Sequence, residues 1–249
     1  MSDFGFIILR HARDEIDNLM GKRCFESIRE NYPLLKIVII DDHSPVHEIS
    51  YTDENTQVIY SELPPCIGEL NAWYYMYKYK LFDIVCVLHD SMGISEPIID
   101  FNNNNQKNVF LWKFEGEHML GNHNEEYYAK QLTNGELNWI HMIKYRNQWK
   151  GCFGVCGIFE WEFLVKIQIM FGIFNESYLE KIRTRTNRMA IERIFGWICC
   201  YNGCNGSLFD DIHYYPNAFY ETPKDKVIEK MDTDIKNKIR PIIKIWCGR

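Results

Sequence analysis

The sequence predicts an α/β fold: a single domain with a mixed, mainly parallel sheet flanked by helices. Three observations predict it. Short apolar runs rich in Ile and Val stand at residues 4–9, 36–40 and 83–88, the pattern of strands buried on both faces. A segment with apolar residues at helical spacing joins the first two runs. Strand, helix and strand in that order make a βαβ unit and hence a parallel sheet. Each run then empties into a polar cluster: Arg10-His11, Asp41-Asp42 and His89-Asp90-Ser91. An open α/β sheet binds its ligands beyond such carboxyl ends.

The elements follow in order. Residues 4–9 are the first strand. Asp14 has the chemistry of a helix N-cap, and Ile16, Leu19, Met20 and Ile28 recur behind it until Pro33 ends the helix. Residues 36–40 form the second strand and 57–60 the third. Residues 69–79 read as a helix whose rings, Trp73, Tyr74, Tyr75, Tyr77 and Tyr79, spread around it and so suit a core more than a ligand platform. Residues 83–88 and 109–114 are strands. Between them, residues 101–108 hold four consecutive asparagines, which is loop chemistry. Residues 149–159 are strand-like and punctuated by Gly151, Gly154 and Gly157. Residues 160–174 are an apolar helix, 178–200 are helical with a break near Thr184, 207–215 are irregular, and 224–240 form a charged C-terminal helix.

Composition narrows the function classes. A chain of 249 residues that is 46% hydrophobic and 25% charged has one sizeable core and is neither disordered nor fibrous. A net charge of −6 argues against a nucleic-acid partner. No charged and then apolar leader opens the chain, and the longest apolar stretch, 155–174, is interrupted by Glu160, Glu162 and Lys166. A protein with no transmembrane segment, not secreted, is expected. The nine cysteines, an odd number, are then free thiols. Cys152 and Cys156, with Cys199, Cys200 and Cys204, lack the spacing of a zinc knuckle and read as small hydrophobes.

Neither a G-x-x-x-x-G-K-[ST] loop nor a G-x-G-x-x-G turn is present, so a nucleotide would be held by acidic loop residues. The three strand ends supply them. One Asp accepts from a base or a ribose hydroxyl, another holds a hard divalent cation, and Arg10 offsets phosphate charge. The plainer alternative makes Asp41, Asp42 and Asp90 turn and cap residues.

Ile39-Ile40-Asp41-Asp42-His43-Ser44 resembles the second-strand motif of GT-A glycosyltransferases, apolar residues followed by Asp-Asp-x-Ser, in which an Asp contacts the nucleotide base. Leu88-His89-Asp90-Ser91 stands where that family carries an Asp-x-Asp motif for manganese and the sugar nucleotide. It keeps one carboxylate of the two, with His89 beside it. The chain further resembles predicted GT-A-like proteins of giant DNA viruses, over residues 36–44, 68–94, 149–164, 188–197 and 207–215, within a span of about 4–220. His89-Asp90-Ser91 and Trp149-Lys150-Gly151-Cys152-Phe153-Gly154 are the most specific blocks.

The resemblance implies a single GT-A-like (Rossmann-like) domain over 1–249. About 1–94 would bind the nucleotide sugar, about 149–222 would face the acceptor, and 223–249 would be a C-terminal helix and tail. It implies transfer of a sugar from a UDP- or GDP-sugar to a hydroxyl of a glycan or protein acceptor, assisted by Mn²⁺ or Mg²⁺, in the cytoplasm, or in the host cytoplasm or viral factory for a viral chain. Arg10, Asp41, Asp42, His89, Asp90 and Ser91 would bind the donor, and Asp90 and His213 the metal. Glu192 is similar in position to the base of inverting enzymes, with Glu162, Asp210 and Asp211 in reserve. An ion pair between Glu192 and Arg188 is the plainer reading of that helix. Trp149, Gly151 and Phe153 would meet the acceptor, or else pack a core strand. Lys181, Arg185 and Arg188, spaced i, i+4 and i+7, would form a basic stripe. Two rivals remain: a non-catalytic GT-A-fold protein that binds a glycan or partner, and a sugar nucleotidyltransferase, whose Gly-rich, Lys-containing first loop is replaced here by Leu9-Arg10-His11-Ala12-Arg13.

Overall fold

Phe4–Arg10 (β1) is buried along its whole length, as its unbroken apolar run requires. The computed structural model describes residues 3–99, 107–115, 123–204, 206–215 and 221–246; the asparagine run lies outside them. The chain forms two compact units interleaved in sequence. One comprises Met1–Asp3, Glu62–Cys86 and Lys107–Tyr214, and the other Phe4–Ser61, Val87–Gln106 and Tyr215–Arg249. Among the described residues a six-stranded, mainly parallel sheet runs in the order Thr56–Tyr60 (β3), Lys36–Asp41 (β2), β1, Ile84–His89 (β4), Gly157–Glu160 (β9) and Val109–Phe110 (β6). With its flanking helices it is the α/β architecture expected from the sequence.

The unit that contains β1 is the βαβ half. Asp14 caps helix Glu15–Asn31 (α1) by accepting the Ile16 and Asp17 N–H groups, which satisfies donors that the first helical turn leaves unpaired. Lys36–Asp41 (β2) pairs parallel to β1 with Arg10 opposite Asp41. Thr56–Tyr60 (β3) pairs parallel to β2. The core here is Phe6, Ile7, Ile8, Met20, Ile28, Ile39 and Ile40. Two strands escaped the sequence reading: Met92–Ile94 (β5) and Ile242–Lys244 (β10), antiparallel to each other. Each has only three residues, too few for a periodicity to register. The expected C-terminal helix is shorter than 224–240: a 3₁₀ turn, Lys224–Lys226, leads into helix Val227–Lys236 (α8), and β10 follows.

In the other unit, Leu70–Tyr79 (α2) buries Trp73, Tyr74 and Tyr75 in the core, while Tyr77 is half-buried and Tyr79 exposed. Ile84–His89 (β4) pairs antiparallel, through Ile84, Val85 and Cys86, with Gly157–Glu160 (β9). The strand expected at 109–114 is two short pieces, Val109–Phe110 (β6) and Lys113–Glu115 (β7). The run at 149–159 is likewise broken: Lys150–Cys152 (β8), then a 3₁₀ turn at Phe153–Val155, then β9. Helices Glu125–Lys130 (α3) and Gly135–Lys144 (α4) were not anticipated. Trp161–Phe171 (α5) is the apolar helix, and Glu176–Leu179 (α6) precedes Arg185–Tyr201 (α7). The break near Thr184 is real, since Thr184 and Asn187 form a reciprocal capping box that starts α7. Among the described residues no helix is long and apolar enough to cross a membrane.

Candidate functional site

The carboxyl ends of β1, β2 and β4 are drawn together by His11. Its Nδ1–H donates to the Asp42 carbonyl at 2.6 Å, and its backbone N–H donates to Asp90 Oδ2 at 2.9 Å. The Asp90 N–H in turn reaches the Leu9 carbonyl. The Asp-Asp-x-Ser loop is shaped by its own side chains. His43 sits at a φ of +55°, a backbone conformation uncommon outside glycine, and Asp41 Oδ1 accepts the Ser44 N–H across that turn at 2.9 Å. Ser44 Oγ accepts the Ala12 N–H at 2.8 Å. Asp41 and Ser44 therefore hold the β1 and β2 loops in place, and His11 meets two buried residues, Asp42 through its backbone carbonyl and Asp90 through its carboxylate.

Arg10 is fully buried. It pairs with Asp41 and also donates to Tyr51 Oη, Asn18 Oδ1 and the carbonyls of Val46 and Glu48. The register that sets Arg10 opposite Asp41 explains this. The guanidinium expected to offset phosphate charge is taken up inside the protein. Helix α1 comes close to Asp90 because residue 21 is glycine: a Cβ there would lie 2.5 Å from Tyr51 Oη and 3.6 Å from Asp90 Cβ.

A lysine that the sequence reading did not single out completes this cluster. Lys244 Nζ lies 2.6 Å from Ser91 Oγ and 3.1 Å from His89 Nδ1. It comes from β10, which no motif marks and whose place beside β5 only folding settles.

The resemblance implies a divalent cation at His89-Asp90-Ser91, but the residues present do not suit one. A hard cation takes several oxygen ligands, and among the described residues no three His, Cys, Asp or Glu side chains gather as a cation site. Asp90 Oδ2 already accepts the His11 N–H, and His89 Nδ1 faces an ammonium group that repels a metal ion. His213 is tied to Asp211, whose Oδ1 accepts its backbone N–H at 2.9 Å and lies 2.7 Å from its Nδ1.

In the other unit the focus is Glu192 on α7. Its side chain is 17% exposed, and Oε1 accepts the Gly154 N–H at 2.9 Å. Burial first, then the negative charge of Glu69, push its carboxyl up to about 7, against the Gly154 N–H, Arg193 and Arg188. Burial and a neighbouring like charge both disfavour the ionised form. The turn it holds is strained, because Val155, a β-branched residue, has a φ of +47°. Trp73 Nε1 donates to the Val155 carbonyl at 2.8 Å and fixes the turn from its other side. Arg188 lies over Gly68, where a Cβ would approach its Cδ to 2.3 Å. The ion-pair contact of Glu192 is with Arg193, at 4.0 Å.

The residues expected on the acceptor side pack against protein. Trp149 is 2% exposed, with its indole N–H on the Met142 carbonyl. Phe153 is buried and meets Trp112 edge-on. The space over Gly151 is filled by the Phe114 ring, which a Cβ would approach to 2.1 Å. The basic stripe dissolves for a simpler reason. Helix α7 begins at Arg185, so Lys181 lies outside it and donates instead to Gln131 Oε1 at 2.5 Å. The eight cysteines among the described residues are free, and burial raises the thiols of Cys152, Cys199 and Cys204, as small core hydrophobes require.

No protein-family model and no curated protein matches the chain. Among solved structures it is similar to the crystal structure of TarS 1–349 of S. aureus, with a TM-score of 0.43 and 13% identity over 78% of this chain and 56% of that one. The chain thus spans little more than half of the structure it matches, at a likeness too loose to assign a family or an activity. The likeness to giant-virus proteins rests on the sequence motifs alone.

Proposed function

We propose that this protein is a glycosyltransferase that moves a sugar from a UDP- or GDP-sugar to a hydroxyl of a glycan or protein acceptor. The observation that carries the reading is the meeting of three strand ends at His11, which brings Asp42 and Asp90 to one place in the β1 unit. Such a place is where an open α/β sheet takes its ligand. Asp42 would accept from the base or ribose, and His89-Asp90-Ser91 would flank the diphosphate.

In the reaction the acceptor oxygen forms a bond to the sugar C1. The bond from C1 to the diphosphate oxygen breaks, and the nucleoside diphosphate leaves with its electron pair. The acceptor proton goes to a carboxylate, the role proposed for Glu192. A carboxyl titrating at about 7 is close to ideal for a base working near neutrality. Trp149, Gly151 and Phe153, covered by the fold, have no part in the proposal.

The test is calorimetry of UDP, GDP and their sugars, followed by assay of nucleoside diphosphate release. Asp42→Ala should weaken nucleoside diphosphate and sugar nucleotide alike, by roughly tenfold for a lost hydrogen bond to a charged group. Glu192→Gln should keep binding and lose roughly 10²–10⁴-fold in turnover. Repeating the titration with and without Mn²⁺ tests the cation that the resemblance implies. Absence of any nucleotide binding would overturn the reading. Binding without release would point to the non-catalytic glycan- or partner-binding alternative.

A further inference from the structure

We propose that Lys244 is the cationic anchor for the diphosphate of the donor, so that a side chain of the chain itself takes the place that the resemblance gives to a metal. The inference rests on the donor-site reading above and adds to it the group that recognises the phosphates.

The backbone directs Lys244 to that spot. Strand β10 pairs antiparallel with β5, with Lys244 opposite Met92, and the Ile245 N–H donates to the Ser91 carbonyl at 3.0 Å. The Lys244 N–H is held in turn by Tyr215 Oη at 3.1 Å. The ammonium therefore reaches the carboxyl end of β4 from a fixed strand and not from a loose loop. There it meets Ser91 Oγ at 2.6 Å and His89 Nδ1 at 3.1 Å, two contacts that orient it.

Arg10, the cation at the end of β1, cannot serve. Arg10 is fully buried and has Asp41, Tyr51, Asn18 and two carbonyls as partners. Nor is a metal site gathered there among the described residues. A compact ammonium on a flexible stem is well suited to a phosphate group, and Lys244 keeps partial exposure. As the bond from C1 to the diphosphate breaks, negative charge grows on the leaving oxygen, and a cation beside it stabilises that charge.

The experiment measures binding of UDP, GDP and inorganic pyrophosphate by calorimetry, in EDTA and in Mn²⁺, to the whole chain and to three variants. Lys244→Met removes the charge and keeps the stem; Lys244→Arg keeps the charge; Asp42→Ala removes the proposed base contact. The expected result is binding in EDTA that Lys244→Met weakens by roughly 10–100-fold, as for a lost charge-assisted contact. Lys244→Arg should restore most of it, and Asp42→Ala should weaken the nucleoside diphosphates but not pyrophosphate. If Lys244→Met, folded by its melting curve, binds all three probes as the wild type does, the anchor is wrong while the donor site stands. If the wild type binds pyrophosphate through Lys244 but neither nucleoside diphosphate, the anchor stands and the glycosyltransferase reading falls. Binding that requires Mn²⁺ and disappears in EDTA overturns the anchor, and no binding of any probe overturns both. Should Lys244→Met not fold, the salt dependence of wild-type binding decides, because an anchoring ammonium makes affinity fall with ionic strength and a flat response overturns the proposal.

Discussion

The Glu192 carboxylate accepts the Gly154 N–H at 2.9 Å, and so joins the middle of a 17-residue helix to the one turn that interrupts the strand-like run at 149–159. That contact holds the left-handed backbone of Gly154 and Val155 and keeps a carboxyl in a place where ionising is costly.

The cost makes stability depend on pH. The Glu192 carboxyl titrates at about 7 in the fold, against 4.5 for an ordinary Glu. Between those values the folded state binds more protons than the unfolded chain, so stability falls as pH rises through about 4.5–7 and levels off above it. The fall is at most about 3 kcal/mol for a shift of this size. Glu192→Gln should remove it, gaining on the wild type as pH rises. Urea unfolding of both proteins at pH 5 and pH 8 checks this, and an equal pH response in the two would show that Glu192 ionises normally.

Arg10→Met should be strongly destabilising, by about 3–5 kcal/mol, because it strands the buried Asp41 carboxylate. Both side chains are at most 4% exposed, so water cannot replace the lost partner. Arg10 also ties Asn18 to the Val46 and Glu48 carbonyls, and the loop after β2 should loosen with it. Denaturant melts read the loss, and a change under about 1 kcal/mol, the value of an exposed pair, would contradict the buried network.

Gly196→Ala tests how closely α7 lies on β8. Helix propensity alone favours Ala by about 1 kcal/mol. A Cβ at residue 196, however, would stand 2.3 Å from the Lys150 carbonyl oxygen and 2.7 Å from the Cys152 nitrogen, backbone atoms that cannot rotate away. Overpacking of about 1–3 kcal/mol or more should win. A melting temperature equal to or above the wild type's would mean that helix and strand are farther apart.

The amino-acid sequence by itself determined the elements whose signals are local. The Ile- and Val-rich runs of β1, β2 and β4 announce buried strands, Asp14 marks a helix start through its own side-chain oxygen, Thr184 marks a break, and most rings of the aromatic helix α2 were legible as core. The polar strand ends at Asp41, Asp42 and Asp90 were legible too, because polar residues directly after apolar strands are visible in a linear reading. Tertiary structure alone decided which of those groups are committed to the fold. Arg10 pairs with Asp41 because a parallel register sets them side by side. Trp149 and Phe153 are covered because α4 and Trp112 close over them. Lys244 joins His89 and Ser91 because β10 returns to β5 from about 150 residues away along the chain. A three-residue strand and a single lysine carry no periodicity or motif, so their meaning comes from the neighbours that long-range pairing supplies, and the same holds for Glu192, whose carboxyl is an ordinary helix residue until burial and Glu69 raise it.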